Sequence, residues 1–308
     1  MPLDFPIYSP VQRILHPLFT AHDVEVFMKR DDMIHPFISG NKWRKLKLHI
    51  AQLKVLNINA VVTFGGAWSN HLLATAAAGA QFQIATHAFV RGEEINNPVL
   101  ALCKLFGMQL HFVDRSAYKD KKALFNANFD ESNALFIDEG GRSEEGLRGC
   151  ESIIEELEDI FTDIFVAAGT GTTAAGILKA LNTKDLNSTL HCIPVLKGGD
   201  FIKQDILDWG IDIDNLTLHT EYHFGGYAKT NPELLQFIKD FVAHTGIMIE
   251  PTYTGKMMYA LFDQIKSGKI QAESKILAIH TGGLTGFLGM YEKFDNLAPV
   301  NTLTKTIK

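Results

Sequence analysis

The sequence predicts an α/β fold in which two open, twisted and mainly parallel sheets share one crevice. Short apolar runs alternate with helix-like segments along almost the whole chain, an order typical of parallel sheets covered by helices on both faces. The 308 residues, 46% of them hydrophobic, can bury one large core or two ordinary ones. At this length we expect two α/β units in preference to one oversized sheet.

Eight apolar runs have the length and composition of strands. They are EVFMKR at 25–30, AVVTF at 60–64, IATHAFV at 84–90, QLHFVD at 109–114, ALFID at 134–138, DIFVAAG at 163–169, LHCIPVL at 190–196 and KILAIH at 275–280. Helical patterns lie between them, in RKLKLHIAQLKVL, LLATAAAGA, VLALCKLFG, CESIIEELEDI, AAGILKALN, ELLQFIKDFVAH and KMMYALFDQIKSG. Ligands of such sheets bind outside the carboxyl ends of the strands, so the residues that follow each strand are the first candidates for function.

Composition and charge narrow the functional class. The formal net charge is −6, which gives no indication of a nucleic-acid or anionic-membrane partner. No stretch reaches the roughly 20 apolar residues of a membrane span, and the N-terminus lacks the pattern of a signal peptide. Cys103, Cys150 and Cys192 form no CxxC pair, which favours a reducing compartment. We therefore expect a cytoplasmic protein that acts on a small molecule and holds no metal.

The run AVVTFGGAWSNH at 60–71 ends the second predicted strand with three consecutive polar side chains. Gly65 and Gly66 form a turn, and Ser69, Asn70 and His71 precede an alanine-rich helix. A helix cap explains one serine or asparagine here. It does not explain three neighbours that can donate, accept or transfer protons.

In the run DIFVAAGTGTTAAGILKAL at 163–181, an apolar strand is followed directly by glycines and threonines. Free amides and hydroxyls at a helix N-terminus bind phosphate, so Gly169 to Thr173 predict a phosphomonoester cradle, with a plain capped turn as the alternative. The run is neither a Walker A loop nor a GxGxxG dinucleotide loop. Thr281-Gly282-Gly283, in KILAIHTGGLTG, places a third such turn at another strand end and points to one shared cleft.

Lys42 lies in FISGNKWRKLK, residues 37–47, directly after a turn and ahead of a basic helix. A single lysine is normally solvated. Beside a phosphate cradle and the Ser-Asn-His turn, however, it indicates a phosphorylated cofactor that bonds covalently to an amine. Pyridoxal 5'-phosphate is that cofactor.

Five motifs together resemble the fold-type II pyridoxal-phosphate enzymes. They are SGNKWRKLK, GGAWSNH, GTGTTAAG, PTYTGK at 251–256 and HTGG, and the likeness, to the subgroup of D-cysteine desulfhydrase and 1-aminocyclopropane-1-carboxylate (ACC) deaminase, spans residues 25–290. It implies a fold like that of the tryptophan synthase β subunit and a homodimer. It also implies a large cofactor-binding domain of residues 1–47 and 160–308, with a small domain of residues 48–159.

The resemblance also assigns roles to individual residues. Lys42 would carry the cofactor and Lys45 would contact its phosphate, together with Thr170, Gly171, Thr172 and Thr173. Asn70 would bind the 3'-oxygen of the pyridine ring, and Ser69 and His71 would lie near the substrate's carboxylate and amine. Tyr253 and Tyr227 would be active-site tyrosines. Because the deaminase pattern has Gln-Ser-Asn-Gln where this chain has Trp-Ser-Asn-His, the role of His71 stays open.

Two threonines bear on the reaction. The deaminase pattern has glutamate and leucine where this chain has Thr254, at the substrate, and Thr281, at the cofactor. A neutral hydroxyl leaves the pyridine nitrogen less positive than a carboxylate does, and β-elimination needs less electron withdrawal than opening the ACC ring. The sequence therefore favours β-elimination of D-cysteine. ACC deaminase is the first alternative and a catalytically silent binding protein the second, and the stereochemistry of the substrate is left open.

Overall fold

In the computed structural model, which describes residues 5–295 and 297–300, the chain forms ten strands and ten α-helices over the described residues. The strands are β1 (Val11–Ile14), β2 (Glu25–Lys29), β3 (Ala60–Gly66), β4 (Ala85–Arg91), β5 (Gln109–Val113), β6 (Ala134–Ile137), β7 (Asp163–Ala168), β8 (Thr189–Pro194), β9 (Leu216–Leu218) and β10 (Lys275–Ile279). The helices are α1 (Pro17–Ala21), α2 (Asn41–Leu56), α3 (Asn70–Phe82), α4 (Pro98–Leu105), α5 (Lys121–Asn128), α6 (Glu144–Glu155), α7 (Thr172–Thr183), α8 (Phe201–Asp208), α9 (Pro232–Thr245) and α10 (Thr254–Lys266).

The strands form two sheets, as predicted. The larger has the order β1-β2-β10-β7-β8-β9 and the smaller the order β5-β4-β3-β6. Every pairing is parallel except that of β1 with β2. The eight predicted strands and seven predicted helices are confirmed. The elements missing from the prediction are β1, β9, α1, α5 and α8.

The central strand β7 shows why the sheets form. Ile164, Val166 and Ala168 pack into the core on one face, and Phe165 and Ala167 into the core on the other. Both faces are covered by helices, so the strand is a continuous apolar run without polar alternation. Burial of a side chain as large as Phe165 contributes about 1.5–3 kcal/mol.

Helices α2 and α6 pack together between the two sheets. The side chains Leu147 and Cys150 of α6 belong to the same buried cluster as Val166 in the larger sheet. Helix α2 runs on through residue 47, the predicted limit of the large domain. The limits at 47/48 and 159/160 stay a prediction, and the ends at residues 1–4 and 301–308 lie outside the described residues. Within the described part of the chain, no helix is both long enough and apolar enough to cross a membrane.

Candidate active site

A cavity of about 1490 Å³ opens between the two sheets. Segments that follow β3, β4, β5, β6, β7 and β10 line it. Because carboxyl ends of parallel strands meet at one edge of a sheet, both sheets turn these edges toward the same space. Eleven of the predicted site residues line it: Lys42, Lys45, Ser69, Asn70, His71, Thr170, Gly171, Thr173, Tyr227, Tyr253 and Thr281.

The start of α2 places Lys42 in the cavity. Gly40 precedes the helix with φ +61°, and a Cβ there would lie 1.9 Å from the carbonyl oxygen of Thr281. Glycine is therefore required for this close approach, and the Asn41 amide donates to the same oxygen at 3.3 Å. Lys42 is half-buried and lines the cavity. Burial, followed by the charge of Lys45, lowers the pKa of Lys42 well below its usual value, which favours the neutral, nucleophilic amine.

Lys45 lies one turn further along α2 and is almost fully buried. Its Nζ donates to the carbonyl oxygen of Gly140 at 3.0 Å, beside the cavity. Burial lowers the pKa of this amine to about 8. An anion in the cavity would restore its positive charge, so Lys45 can supply a counter-charge for a phosphate.

The turn between β3 and α3 presents Ser69, Asn70 and His71. The Ser69 hydroxyl caps α3 by accepting a hydrogen bond from the Leu72 amide at 3.4 Å. Ser69 also lines the cavity. The amide oxygen of Asn70 accepts from the Thr285 hydroxyl at 3.2 Å. The His71 ring binds Thr63 Oγ1 through Nε2 at 2.8 Å. All three side chains therefore have fixed orientations at one end of the cavity.

The threonine-glycine run forms the N-terminus of α7. Gly171 precedes the helix with φ +75°. The backbone amides of the first turn of α7 have no hydrogen-bond partner within the helix. The hydroxyls of Thr170 and Thr172 lie 3.1 Å apart, and Asn41 Nδ2 donates to Thr173 Oγ1 at 2.8 Å. Amides, hydroxyls and the helix dipole suit an anion. Thr172 is fully buried and does not line the cavity.

Two tyrosines face each other across the cavity wall. The rings of Tyr227 and Tyr253 are 6.1 Å apart at 73°. Burial, followed by the neighbouring Tyr227 and Glu250, raises the pKa of Tyr253 well above its usual value, so its hydroxyl is a hydrogen-bond donor at neutral pH. Lys256 Nζ fixes the Tyr227 loop by donating to the carbonyl oxygens of His223 and Gly226, each at 2.8 Å.

The two threonines that bear on the reaction have different positions. Thr281 lines the cavity, whereas Thr254 is fully buried and does not. The Thr254 hydroxyl accepts from the Glu250 amide at 2.9 Å. Glu250 in turn caps α10, because its carboxylate accepts from the amides of Thr252, Tyr253 and Thr254 at 2.7–2.8 Å. The structure thus brings Thr281 to the site and leaves Thr254 behind it.

Several cavity residues were missing from the sequence-based prediction. Asn41, beside Lys42, touches the cradle through Thr173. Arg91, Glu139 and Gly140 line the wall contributed by the smaller sheet. Each follows a predicted strand or adjoins a predicted site residue, so position at a strand end was the signal that could have found them.

The residues present fit pyridoxal phosphate. A lysine amine with a lowered pKa, a helix N-terminus suited to an anion and a tyrosine donor border one cavity that is large enough for the cofactor and an amino acid. Among the described residues, no group of three or more metal-ligating side chains could hold a metal ion.

Comparison with known proteins agrees with this geometry. Residues 8–282 match the family model described as "Pyridoxal-phosphate dependent enzyme". The chain is 31% identical to a bifunctional D-cysteine desulfhydrase/1-aminocyclopropane-1-carboxylate deaminase, mitochondrial, from Arabidopsis thaliana, over 89% of this chain and 75% of the relative. It is 30% identical to a putative 1-aminocyclopropane-1-carboxylate deaminase from Pyrococcus horikoshii over 89% of both chains. A crystal structure of an ACC deaminase homologue superposes with a TM-score of 0.81 at 27% identity over 94% of each chain.

Proposed function

The chain belongs to the family of pyridoxal-phosphate-dependent enzymes, and we propose that it catalyses β-elimination of D-cysteine or a related β-substituted D-amino acid. With D-cysteine and one water molecule, the products are pyruvate, ammonia and hydrogen sulfide. The observation that carries the proposal is the half-buried Lys42, which lines the same cavity as the cradle at Thr170–Thr173 and the Ser-Asn-His turn.

In this reaction the bound cofactor supplies a sink for the electron pair that is left when the α-proton departs. Lys42, whose lowered pKa favours the neutral amine, would hold the cofactor and would be the base that takes that proton. Lys45, Thr170, Gly171 and Thr173, which line the cavity, would hold the phosphate, and Asn70 and Thr281 would hold the ring. Ser69, His71, Tyr227 and Tyr253 surround the amino acid. The C–S bond then breaks and its electron pair leaves with the sulfur as hydrosulfide, a good leaving group because its conjugate acid, hydrogen sulfide, is far more acidic than water; hydrosulfide then takes one proton to give hydrogen sulfide.

The two threonines at positions 254 and 281 depart from the deaminase pattern and favour elimination over opening of the ACC ring. Thr281 places a neutral hydroxyl in the cavity at the position where the deaminase pattern has leucine. At the other position, Thr254 places no carboxylate beside the ring, and its hydroxyl is bonded to the Glu250 amide. The absence of a carboxylate at position 254 points to a weaker electron sink, which is sufficient for elimination of hydrosulfide.

ACC deamination to 2-oxobutyrate and ammonia is the second candidate. The name of the Pyrococcus relative favours it, whereas the Arabidopsis relative is named for both activities. The third candidate is a protein that binds the cofactor or a phosphometabolite without catalysis. One cavity is lined by residues that can donate, accept or transfer protons, Lys42, Ser69, Asn70 and Tyr253, which argues against this candidate.

A substrate panel separates the candidates. Purified protein with pyridoxal phosphate is given D-cysteine, L-cysteine, D-serine, β-chloro-D-alanine and ACC, and sulfide and keto acid are measured together. Sulfide and pyruvate in equal amounts from D-cysteine support the proposal. Conversion of ACC alone to 2-oxobutyrate would replace it with deamination, and no turnover of any member would favour the silent protein.

We extend the proposal to the setting of the enzyme. The large domain comprises residues 1–47 and 160–308, the small domain residues 48–159, and the chain acts as a cytoplasmic homodimer. The three cysteines are buried and free, in keeping with a reducing compartment, although the Arabidopsis relative is named mitochondrial. Light scattering of the purified protein tests the dimer, and fractionation of cells tests the compartment.

A further inference from the structure

The His71 ring is hydrogen-bonded at only one of its nitrogens among the described residues. His71, the second residue of α3, is 1% exposed and lines the cavity. Its Nε2 lies 2.8 Å from Thr63 Oγ1 on β3. Its Nδ1 is buried and has no hydrogen-bond partner within the described part of the chain. A buried polar atom without a partner is costly, which makes Nδ1 a candidate for contact with a ligand.

Thr63 decides which ring nitrogen carries the proton. Its Oγ1 lies 2.8 Å from the carbonyl oxygen of Ile137 on the neighbouring strand β6. Because a carbonyl has no proton to give, the threonine hydroxyl donates, and it has only one proton. Toward His71 the hydroxyl oxygen can therefore only accept. The ring must carry its proton on Nε2, and Nδ1 has a free lone pair.

The surroundings keep this ring neutral. Burial, followed by the charges of Lys42, Lys45 and His49, lowers the pKa of His71 well below its usual value. All three of these side chains come from α2, and all are basic. A second proton at Nδ1 would therefore be opposed by both desolvation and like charge.

We propose that His71 Nδ1 is a fixed hydrogen-bond acceptor for a proton-bearing group of the bound amino acid, its amine or its thiol, and that Thr63 is the positioning residue that sets this tautomer. The substrate class rests on the proposed function. A carboxylate would meet lone-pair repulsion at Nδ1, so the substrate carboxylate lies at the donors Ser69 and Asn70. Nδ1 also has no proton to give to the departing sulfur.

The tautomer is tested by ¹⁵N NMR of histidine-labelled holoenzyme, with the His71 signals assigned from the His71→Asn variant. We expect a protonated Nε2 and an unprotonated Nδ1 between pH 6 and pH 9. Thr63→Val removes the acceptor and should populate the Nδ1–H form, whereas Thr63→Ser should restore the original spectrum. Thr75→Val, which removes a buried hydroxyl one turn along α3, is the matched control. An Nδ1–H signal in the unmodified protein would overturn the assignment.

The acceptor role is tested with an isosteric pair. His71→Asn keeps an acceptor oxygen near the position of Nδ1, and His71→Leu lacks it, while both lose the bond to Thr63. We measure the dissociation constant of D-alanine, which has no leaving group, and the KM and kcat for D-cysteine. If the amine is the donor, the leucine variant binds both ligands about tenfold more weakly than the asparagine variant. If the thiol is the donor, only the KM for D-cysteine rises.

Equal affinities of the two variants for both ligands would overturn the acceptor role. Failure of the proposed function is distinguishable. Absence of D-cysteine turnover with the Nε2–H signal in place would refute the elimination reaction and leave the tautomer standing. Turnover together with an Nδ1–H signal would refute the tautomer alone.

Discussion

At the residue scale, Gly40 decides where the candidate nucleophile lies. Its φ of +61° and its contact with the Thr281 carbonyl oxygen leave no space for a Cβ. The approach of two distant segments, at residues 40 and 281, positions Lys42 at the strand edge. The sequence showed the turn residues Ser39-Gly40-Asn41 but not the segment that they touch.

Gly40→Ala should lower the free energy of unfolding by about 3 kcal/mol or more, because a left-handed φ and a backbone clash add together. Chemical denaturation measures it. Gly268→Ala is the control, since Gly268 has a similar φ of +69° and no atom lies within 4 Å of the position that an alanine Cβ would take. Gly268→Ala should lower the free energy of unfolding by about 1 kcal/mol. Equal losses in the two variants would show that contact with Thr281 is unimportant.

The lowered pKa of Lys45 leads us to expect that anion binding depends on pH. Its pKa of about 8 lies below the ordinary value near ~10.4, so between these pH values the unfolded chain binds more protons than the folded chain. This amine therefore makes the free energy of unfolding of the cofactor-free protein rise with pH across that window. A bound phosphate needs the protonated amine, so its affinity should fall as pH rises through about 8.

The measurement uses pyridoxine 5'-phosphate, which has no aldehyde, with the Lys42→Ala variant, so that a second amine does not titrate. We expect affinity to weaken about tenfold between pH 7 and pH 9. Adding Lys45→Arg should remove the pH dependence and keep the affinity, whereas Lys45→Met should weaken binding at both pH values. A pH profile unchanged by Lys45→Met would exclude Lys45 from the phosphate site.

At the element scale, helix α2 is held by a buried ion network. Arg44 is fully buried and donates through Nε and Nη2 to the two carboxylate oxygens of Asp31, at 3.0 and 2.8 Å. It also bonds to Glu156 at the end of α6, which Lys29 contacts at 3.0 Å. These contacts connect β2, α2 and α6 on the side of α2 that faces away from the cavity.

Arg44→Met should lower the free energy of unfolding by about 3–5 kcal/mol, because it leaves the Asp31 carboxylate buried without its partner. Thermal and denaturant unfolding check this value. Arg13→Met, which breaks the exposed pair between Arg13 and Glu25, should change it by less than about 1 kcal/mol. A small loss of stability in Arg44→Met would mean that water or a rearranged side chain replaces the hydrogen bonds that the Asp31 carboxylate loses.

The elements differ in how readily the sequence predicts them. Buried parallel strands such as β7 are continuous apolar runs and were found at nearly their observed limits. The edge strands β1 and β9 are three or four residues long and half-exposed, and α5 carries a single buried residue, so none has a strong apolar pattern. Their presence depends on neighbours that are distant in the chain.

At the scale of the whole molecule, the function depends on two sheets that direct their carboxyl edges into one cavity. Strand-end position predicted that the Ser-Asn-His turn, the cradle and Thr281 share one cleft, and their presence singled out Lys42. It did not predict that Thr254 lies behind the wall, bonded to Glu250, because this follows from how α10 is capped. Contacts of this kind join a helix to the loop before it and leave no sequence pattern of their own.

The most direct test of the account asks which amine carries the cofactor. The holoenzyme is reduced with borohydride, digested and analysed by mass spectrometry, in parallel with the Lys42→Ala variant. We expect a protein that is yellow before reduction and carries a phosphopyridoxyl group on Lys42 alone after it, and a variant with neither the colour nor turnover. A phosphopyridoxyl group on another lysine, or on none, would contradict it.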